Sequence, residues 1–177
     1  MWDKLRYWLF SRKQRQQPAR NVQFPVYDKV QTILLIYDSD IMEKNADIRT
    51  LTGRLMQDGK QVYWLGYVAR KDVQSPLLPQ SRMLGLKDHN FLHILRKDVQ
   101  QDIAKDEYDL LIDLTEQPCL PLHYVALMAR CRFKAGKHIV EGLHDLDIDM
   151  PATESHIPLF EQIIHYLTTI QSHDIKV

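Results

Sequence analysis

The chain has 177 residues, 45% of them apolar, enough for one domain with a real core and too few for two. Its 23 Lys and Arg balance 23 Asp and Glu, which excludes a uniformly basic nucleic-acid coat and an acidic disordered chain. The longest apolar run, Ile33-Leu34-Leu35-Ile36-Tyr37, falls far short of the roughly 18 residues a membrane-spanning helix needs.

The neutral total conceals a split. Residues 1–20 carry Lys4, Arg6, Arg12, Lys13, Arg15 and Arg20 against Asp3 alone, a net +5, and the remainder carries −5. Within that arm, Trp2, Leu5, Trp8 and Leu9 recur at helical spacing, so residues 2–16 predict a short basic amphipathic helix. Its apolar patch is too short for a secretory signal core, which makes the cytoplasm the expected compartment, with the arm peripheral to a membrane as a variant of that reading. Pro18 ends the helix, and residues 18–29 predict an extended connector. The division expected is therefore 1–29, helix and connector, and 30–177, a single domain.

Residues 30–37 predict a buried strand. Asp40 with Glu43 three residues on forms a capping-box pattern for a helix reaching about residue 58, where Gly59 suits the position after the last turn. Residues 61–69 predict a second strand, 70–89 an irregular stretch punctuated by Pro76 and Pro79, and 90–95 a third strand. A polar helix over 96–107 precedes a fourth strand, Tyr108-Asp-Leu-Leu-Ile-Asp-Leu114. Pro121 opens a helix to about residue 131, residues 136–140 make a fifth strand, and the alternation from Asp145 to Met150 suggests a short antiparallel edge. Pro158 opens a closing helix whose apolar stripe either completes the core or pairs with a second copy as a homodimer. Strands alternating with helices imply a three-layer, Rossmann-like α/β domain with a mostly parallel sheet of about five strands; the pattern leaves the strand order open, and the order 3-2-1-4-5 would make strands one and four neighbours.

Motifs of known chemistry are mostly missing. No two of the six glycines have dinucleotide-fingerprint spacing after the first strand, and no Gly-Lys pair precedes Ser or Thr. Asp145, Asp147 and Asp149 open like a calcium loop, but Met150 and His156 stand where Gly and Glu belong; charged edge protection is the simpler reading. His89 and His93 read as surface residues. Cys119 with His123 lacks a third catalytic member, and Cys119 and Cys131, placed on one helix, are too far apart for a disulfide. No catalytic residue, metal site or cofactor is assigned, and the balance leans away from an enzyme.

One constellation remains. Ligands of doubly wound sheets sit beyond the carboxyl ends of the strands where the order reverses. That geometry brings Asp38 and Asp40 towards Asp113, Thr115 and Glu116, an acidic crevice suited to a cation or a basic segment.

Two resemblances accompany these patterns. The strand at residues 108–114, the segment Leu127-Met-Ala-Arg130 and Lys134-Ala-Gly136 resemble part of the N-terminal Rossmann-like domain of heptosyltransferase-type glycosyltransferases. Those enzymes carry Gln-Gly where this chain has Thr115-Glu116, and they need a second domain, so the resemblance implies fold and not activity. Over nearly its full length, through the basic helix, Leu86-Lys-Asp-His-Asn-Phe91, the residue 108–114 strand, Phe133-Lys-Ala-Gly136 and Tyr166-Leu167, the chain is similar to a family of short uncharacterised Bacteroidota proteins. That resemblance implies no assigned function.

The leading expectation is a non-catalytic interaction or scaffold module. The alternative is a small nucleotide- or sugar-binding module, or an enzyme, using the acidic crevice. The basic arm, through Trp2, Lys4, Arg6, Trp8, Arg12, Lys13 and Arg15, suits a protein partner or an anionic membrane surface; RNA would require an accompanying binding motif that the chain lacks.

Overall fold

The computed structural model describes residues 2–39, 42–73 and 80–170. In chain order these form α1 (Trp2–Arg15), β1 (Thr32–Asp38), α2 (Met42–Gln57), β2 (Gln61–Tyr67), β3 (Ser81–Leu84), α3 (Lys97–Ile103), β4 (Glu107–Asp113), α4 (Leu120–Met128), β5 (Arg130–Lys137), β6 (Leu146–Ile148) and α5 (Ile157–Thr169). The six strands make one sheet in the order β3-β2-β1-β4-β5-β6, and every pairing is parallel.

The sheet is doubly wound. Leu34 and Ile36 of β1 and Leu111 of β4 face one apolar layer with residues of α1, α3 and α4. Ile33 and Leu35 of β1, with Leu110 and Ile112 of β4, face the other, built with α2 and α5. Central strands buried on both faces require continuous apolar runs, and β1 and β4 have them. The winding reverses between β1 and β4, so the carboxyl ends of those strands define the switch point.

Several local expectations change. The third strand is Ser81–Leu84, paired with β2, and not residues 90–95. In that segment the Asn90 side chain accepts the N–H groups of Leu92 and Ile94, and His93 adopts a left-handed φ of 62°, so the backbone closes into a tight loop. β5 begins earlier than expected, at Arg130, because α4 stops at Met128. Cys131 therefore lies in β5, Cys119 precedes α4, and both are free thiols.

The edge strand β6 is parallel, not antiparallel. It starts opposite Ala135, near the end of β5, so residues 138–145 need only retrace a short distance to reach it. The α2 terminus follows expectation: Gly59 has a φ of 76°, and the N–H of Lys60 reaches back to the Leu55 carbonyl. The Asp40 cap lies outside the described residues.

The basic helix forms as expected, and it packs on the body through one buried residue. Phe10 is its fully buried residue, set edge-on to Tyr124 of α4 at 5.1 Å between ring centres. Lys13 donates to the Gln100 side chain at 3.1 Å, and Gln14 to the Glu141 carbonyl at 3.0 Å. Trp2, Leu5 and Trp8, whose spacing leaves open whether they pack on the body or dock elsewhere, face outward.

Candidate functional site

The switch point collects polar residues, as the sequence predicts; Asp113 and Glu116 are buried and already partnered, while the buried Thr115 hydroxyl has no hydrogen-bond partner among the described residues. Asp113 closes β4 with its side chain on the α4 side of the sheet. One carboxylate oxygen accepts the N–H of Thr115 at 2.9 Å, and the other meets Nε2 of His144 at 3.0 Å. His144 in turn presents Nδ1 to Asp147 at 3.1 Å, and the second oxygen of Asp147 meets His138 at 3.2 Å. His144 thus lies between two carboxylates, and only the imidazolium can donate to both. Burial opposes that charge, yet the hydrogen bonds to Asp113 and Asp147 prevail and lift the pKa of His144 to about 9. For Asp113, burial acts upward, and the bond and charge of His144 overcome it to hold the carboxyl below its usual range.

Gly136 makes this arrangement sterically feasible. His144 lies across it, and an added Cβ would come within 2.6 Å of Cε1 of His144 and 2.9 Å of Cβ of Asp113. A side chain at 136 and an imidazole reaching Asp113 cannot share that volume.

Glu116 forms the second buried unit. It accepts from Nζ of Lys137 at 2.9 Å and from the N–H and hydroxyl of Thr153 at 3.2 and 3.3 Å. The segment holding Thr153 is itself tied down: Ser155 and the N–H of His156 both donate to Asp47 of α2. Residues 153–156 thereby close over the strand ends. Asp38, at the end of β1, is half-buried, and its carbonyl meets Nε2 of His156 at 3.3 Å. Asp40 lies outside the described residues, so the expected pairing of Asp38 and Asp40 with the β4 acids is represented by Asp38 alone.

His123 of α4 is buried beside this network, and neither ring nitrogen has a hydrogen-bond partner among the described residues. Burial lowers its pKa to about 4, against the pull of Asp113. It is a neutral imidazole packed 6.0 Å from the Phe10 ring. Among the described residues, no group of three or more His, Cys, Asp and Glu is placed to hold a metal ion. An open cavity of about 530 Å³ lies at the opposite end of the strands, lined in part by Arg20, Glu107, Arg130 and Lys134.

Sequence reasoning identified Asp113, Thr115 and Glu116 but missed Lys137, His144, Asp147 and Thr153. The signals were present: a basic residue directly after a strand-terminal glycine, and a histidine opening the alternating acidic segment. The alternating pattern predicts Asp145 and Asp147 as outward edge charges. Instead, Asp145 pairs with Arg20 and accepts the Lys134 N–H, while Asp147 serves two histidines.

The basic arm is the second candidate. Arg6 grips the carbonyl of Phe91 through Nε and a terminal nitrogen at 3.2 and 2.7 Å, and pairs with Asp3 at 2.9 Å. This brings the ring of Phe91 edge-on to Trp2, 5.9 Å between centres. Arg12 stands 5.8 Å from the Trp8 ring centre, within cation–π range. Trp2, Trp8 and Phe91 are 60%, 52% and 68% exposed, which excludes packing against the body as the role of the two tryptophans. Lys4 and Arg15 are exposed beside them, whereas Lys13 faces inward to Gln100. No described helix is long and apolar enough to cross a membrane.

A family model spans residues 3–170, covering the basic helix and the whole sheet. The chain belongs to DUF6913, a family of unknown function. No curated protein and no solved structure matches the chain. For this DUF6913 member, functional argument therefore rests on its own two polar assemblies, the buried one at the strand ends and the exposed one on α1.

Proposed function

We propose that the protein is a cytoplasmic, non-catalytic interaction module in which residues 1–29 form a docking element mounted on the 30–177 domain. The observation that carries this reading is the exposure of Trp2 and Trp8 on a helix anchored by a fully buried Phe10. Two large aromatic side chains held in water on an ordered element mark an interaction surface more often than they mark a free surface.

The reading is favoured over a nucleotide- or sugar-binding module by the state of the crevice. Its buried acids are neutralised from within, Asp113 by His144 and Glu116 by Lys137, and the 153–156 segment covers them. A ligand there would have to displace buried ion pairs, at a cost of several kcal/mol.

The test has two arms. Affinity capture from cells that make the protein should recover a partner, protein or membrane, with the full chain and lose it with a Trp2→Ser/Trp8→Ser variant of unchanged melting temperature. Thermal melts with nucleotides, nucleotide sugars and divalent cations should show no shift. A ligand at 100 times its dissociation constant raises stability by about 2.7 kcal/mol; a shift of that size, with capture indifferent to the tryptophans, would overturn the proposal.

A further inference from the structure

The outward face of α1 bears on what docks there. Trp2, Leu5 and Trp8 follow at steps of three along the exposed side, and Phe91 extends the patch from a loop distant in sequence. Lys4, Arg12 and Arg15 flank these rings, and none of the three has an ion-pair partner among the described residues. The one acid of the helix, Asp3, is already paired with Arg6. The surface is a convex ridge of aromatic rings fringed by unpaired cations.

We propose that this ridge docks on an anionic lipid bilayer, with Trp2, Trp8 and Phe91 at headgroup depth and Lys4, Arg12 and Arg15 against lipid phosphates. This inference rests on the docking reading above and names its partner. Charge complementarity and shape both favour lipid. Indole and phenyl rings settle at the boundary between headgroups and acyl chains, where an apolar body and a polar edge are both satisfied. Cations beside them gain from the negative potential of the leaflet. A fluid headgroup layer accepts a convex ridge without a matching groove, whereas a folded protein partner must supply a pocket for each ring. The arm's grip on the body through Phe10 and Arg6 keeps the ridge ordered, so little freedom is lost on docking.

The experiment uses the full chain with vesicles of phosphatidylcholine alone and vesicles containing about one-third phosphatidylglycerol. Binding to the anionic vesicles should exceed binding to the neutral ones on the order of a hundredfold, and should collapse as salt rises. Tryptophan emission should shift to the blue, and brominated lipids should quench it, in the wild type and not in Trp2→Ser/Trp8→Ser. Lys4→Glu/Arg12→Glu should abolish the preference for anionic vesicles while leaving the melting temperature unchanged. Equal binding to both vesicles, or anionic binding that survives loss of both tryptophans, overturns the inference. A chain that ignores vesicles but still captures a protein or RNA through Trp2 and Trp8 also overturns it, while the broader docking reading stands. A chain that does neither removes both.

Discussion

Raising pH from 6.5 to 8 should destabilise this protein through one residue, His144. Its pKa is 6.5 in an ordinary setting and about 9 in the fold, because both ring nitrogens meet carboxylates. A group whose pKa rises on folding binds an extra proton in the native state. Its contribution is complete below the unfolded value and is lost as pH climbs through the folded one. Between pH 6.5 and 8 the loss integrates to roughly 1.5 kcal/mol. Other buried groups act outside that window. Burial lowers His123 to about 4, so its contribution is lost only on acidification below 6.5. Burial lowers Lys134 from 10.5 to about 8, so stability gained from it begins above pH 8. Urea unfolding at half-unit steps reads the effect: with a slope of about 2 kcal/mol per molar, the midpoint should fall by roughly 0.7 M. In His144→Gln the fall should vanish. Should that variant fail to fold, the Cε1 proton of His144 in the wild type should titrate near 9. A flat midpoint in the wild type, or a His144 resonance titrating near 6.5, would refute the reasoning.

Gly136→Ala forces a Cβ into His144 and should cost about 1–3 kcal/mol, with the alkaline destabilisation lost alongside; thermal melts at pH 6.5 and 8 check both. Glu116→Gln leaves Lys137 buried without its counter-ion and should cost about 3–5 kcal/mol, whereas Glu116→Leu/Lys137→Met should recover much of it, as a double-mutant cycle in urea would report. His123→Leu removes a buried imidazole with no hydrogen-bond partner among the described residues and should leave stability unchanged or higher at neutral pH, with a larger gain at pH 5, where the native imidazole resists protonation. Phe10→Ala should cost about 3–5 kcal/mol and expose α1 to proteolysis, followed by gel electrophoresis after brief protease treatment.

The fold was legible where periodicity was strong. β1 and β4 are continuous apolar runs bounded by turn residues, and the parallel sheet follows from the helices that separate the strands; the strand order, with its reversal between β1 and β4, comes from the pairing itself. β3 was not legible, because Ser81-Arg-Met-Leu84 has neither alternation nor a β-branched residue; its pairing with β2 creates it. The segment after it looked more strand-like, but Asn90 captured two backbone N–H groups and folded the chain back. The site was half legible. Asp113, Thr115 and Glu116 sit where winding rules put them, but their partners come from residues 137, 144 and 153, and separations of that size leave no periodic trace. The arm's helix was legible and its orientation was not: spacing left open whether Trp2, Leu5 and Trp8 met the body, and one residue, Phe10, with polar contacts from Arg6, Lys13 and Gln14, set the packed face.

The burial of Phe10 in place of the tryptophans bears on what the two halves of the molecule are for. In a doubly wound domain the carboxyl ends of the strands ordinarily stay open, because loops there must yield to a ligand. Here that end carries the most tightly interlocked polar groups described: Asp113, His144 and Asp147 in one chain, and Glu116, Lys137 and Thr153 in another. Such networks gain strength from burial and make the segments holding them rigid. At α1 the arrangement is reversed. The interior side is secured by few contacts around Phe10, and the large aromatic side chains, which would stabilise a core most, remain in water. A sequence selected for stability alone would bury Trp2 and Trp8 and leave the small, polar Ser11 and Gln14 outside. The side chains that would be worth most to the core instead form the outer face of α1, and this is the physical reason to look for function on the helix and not in the crevice.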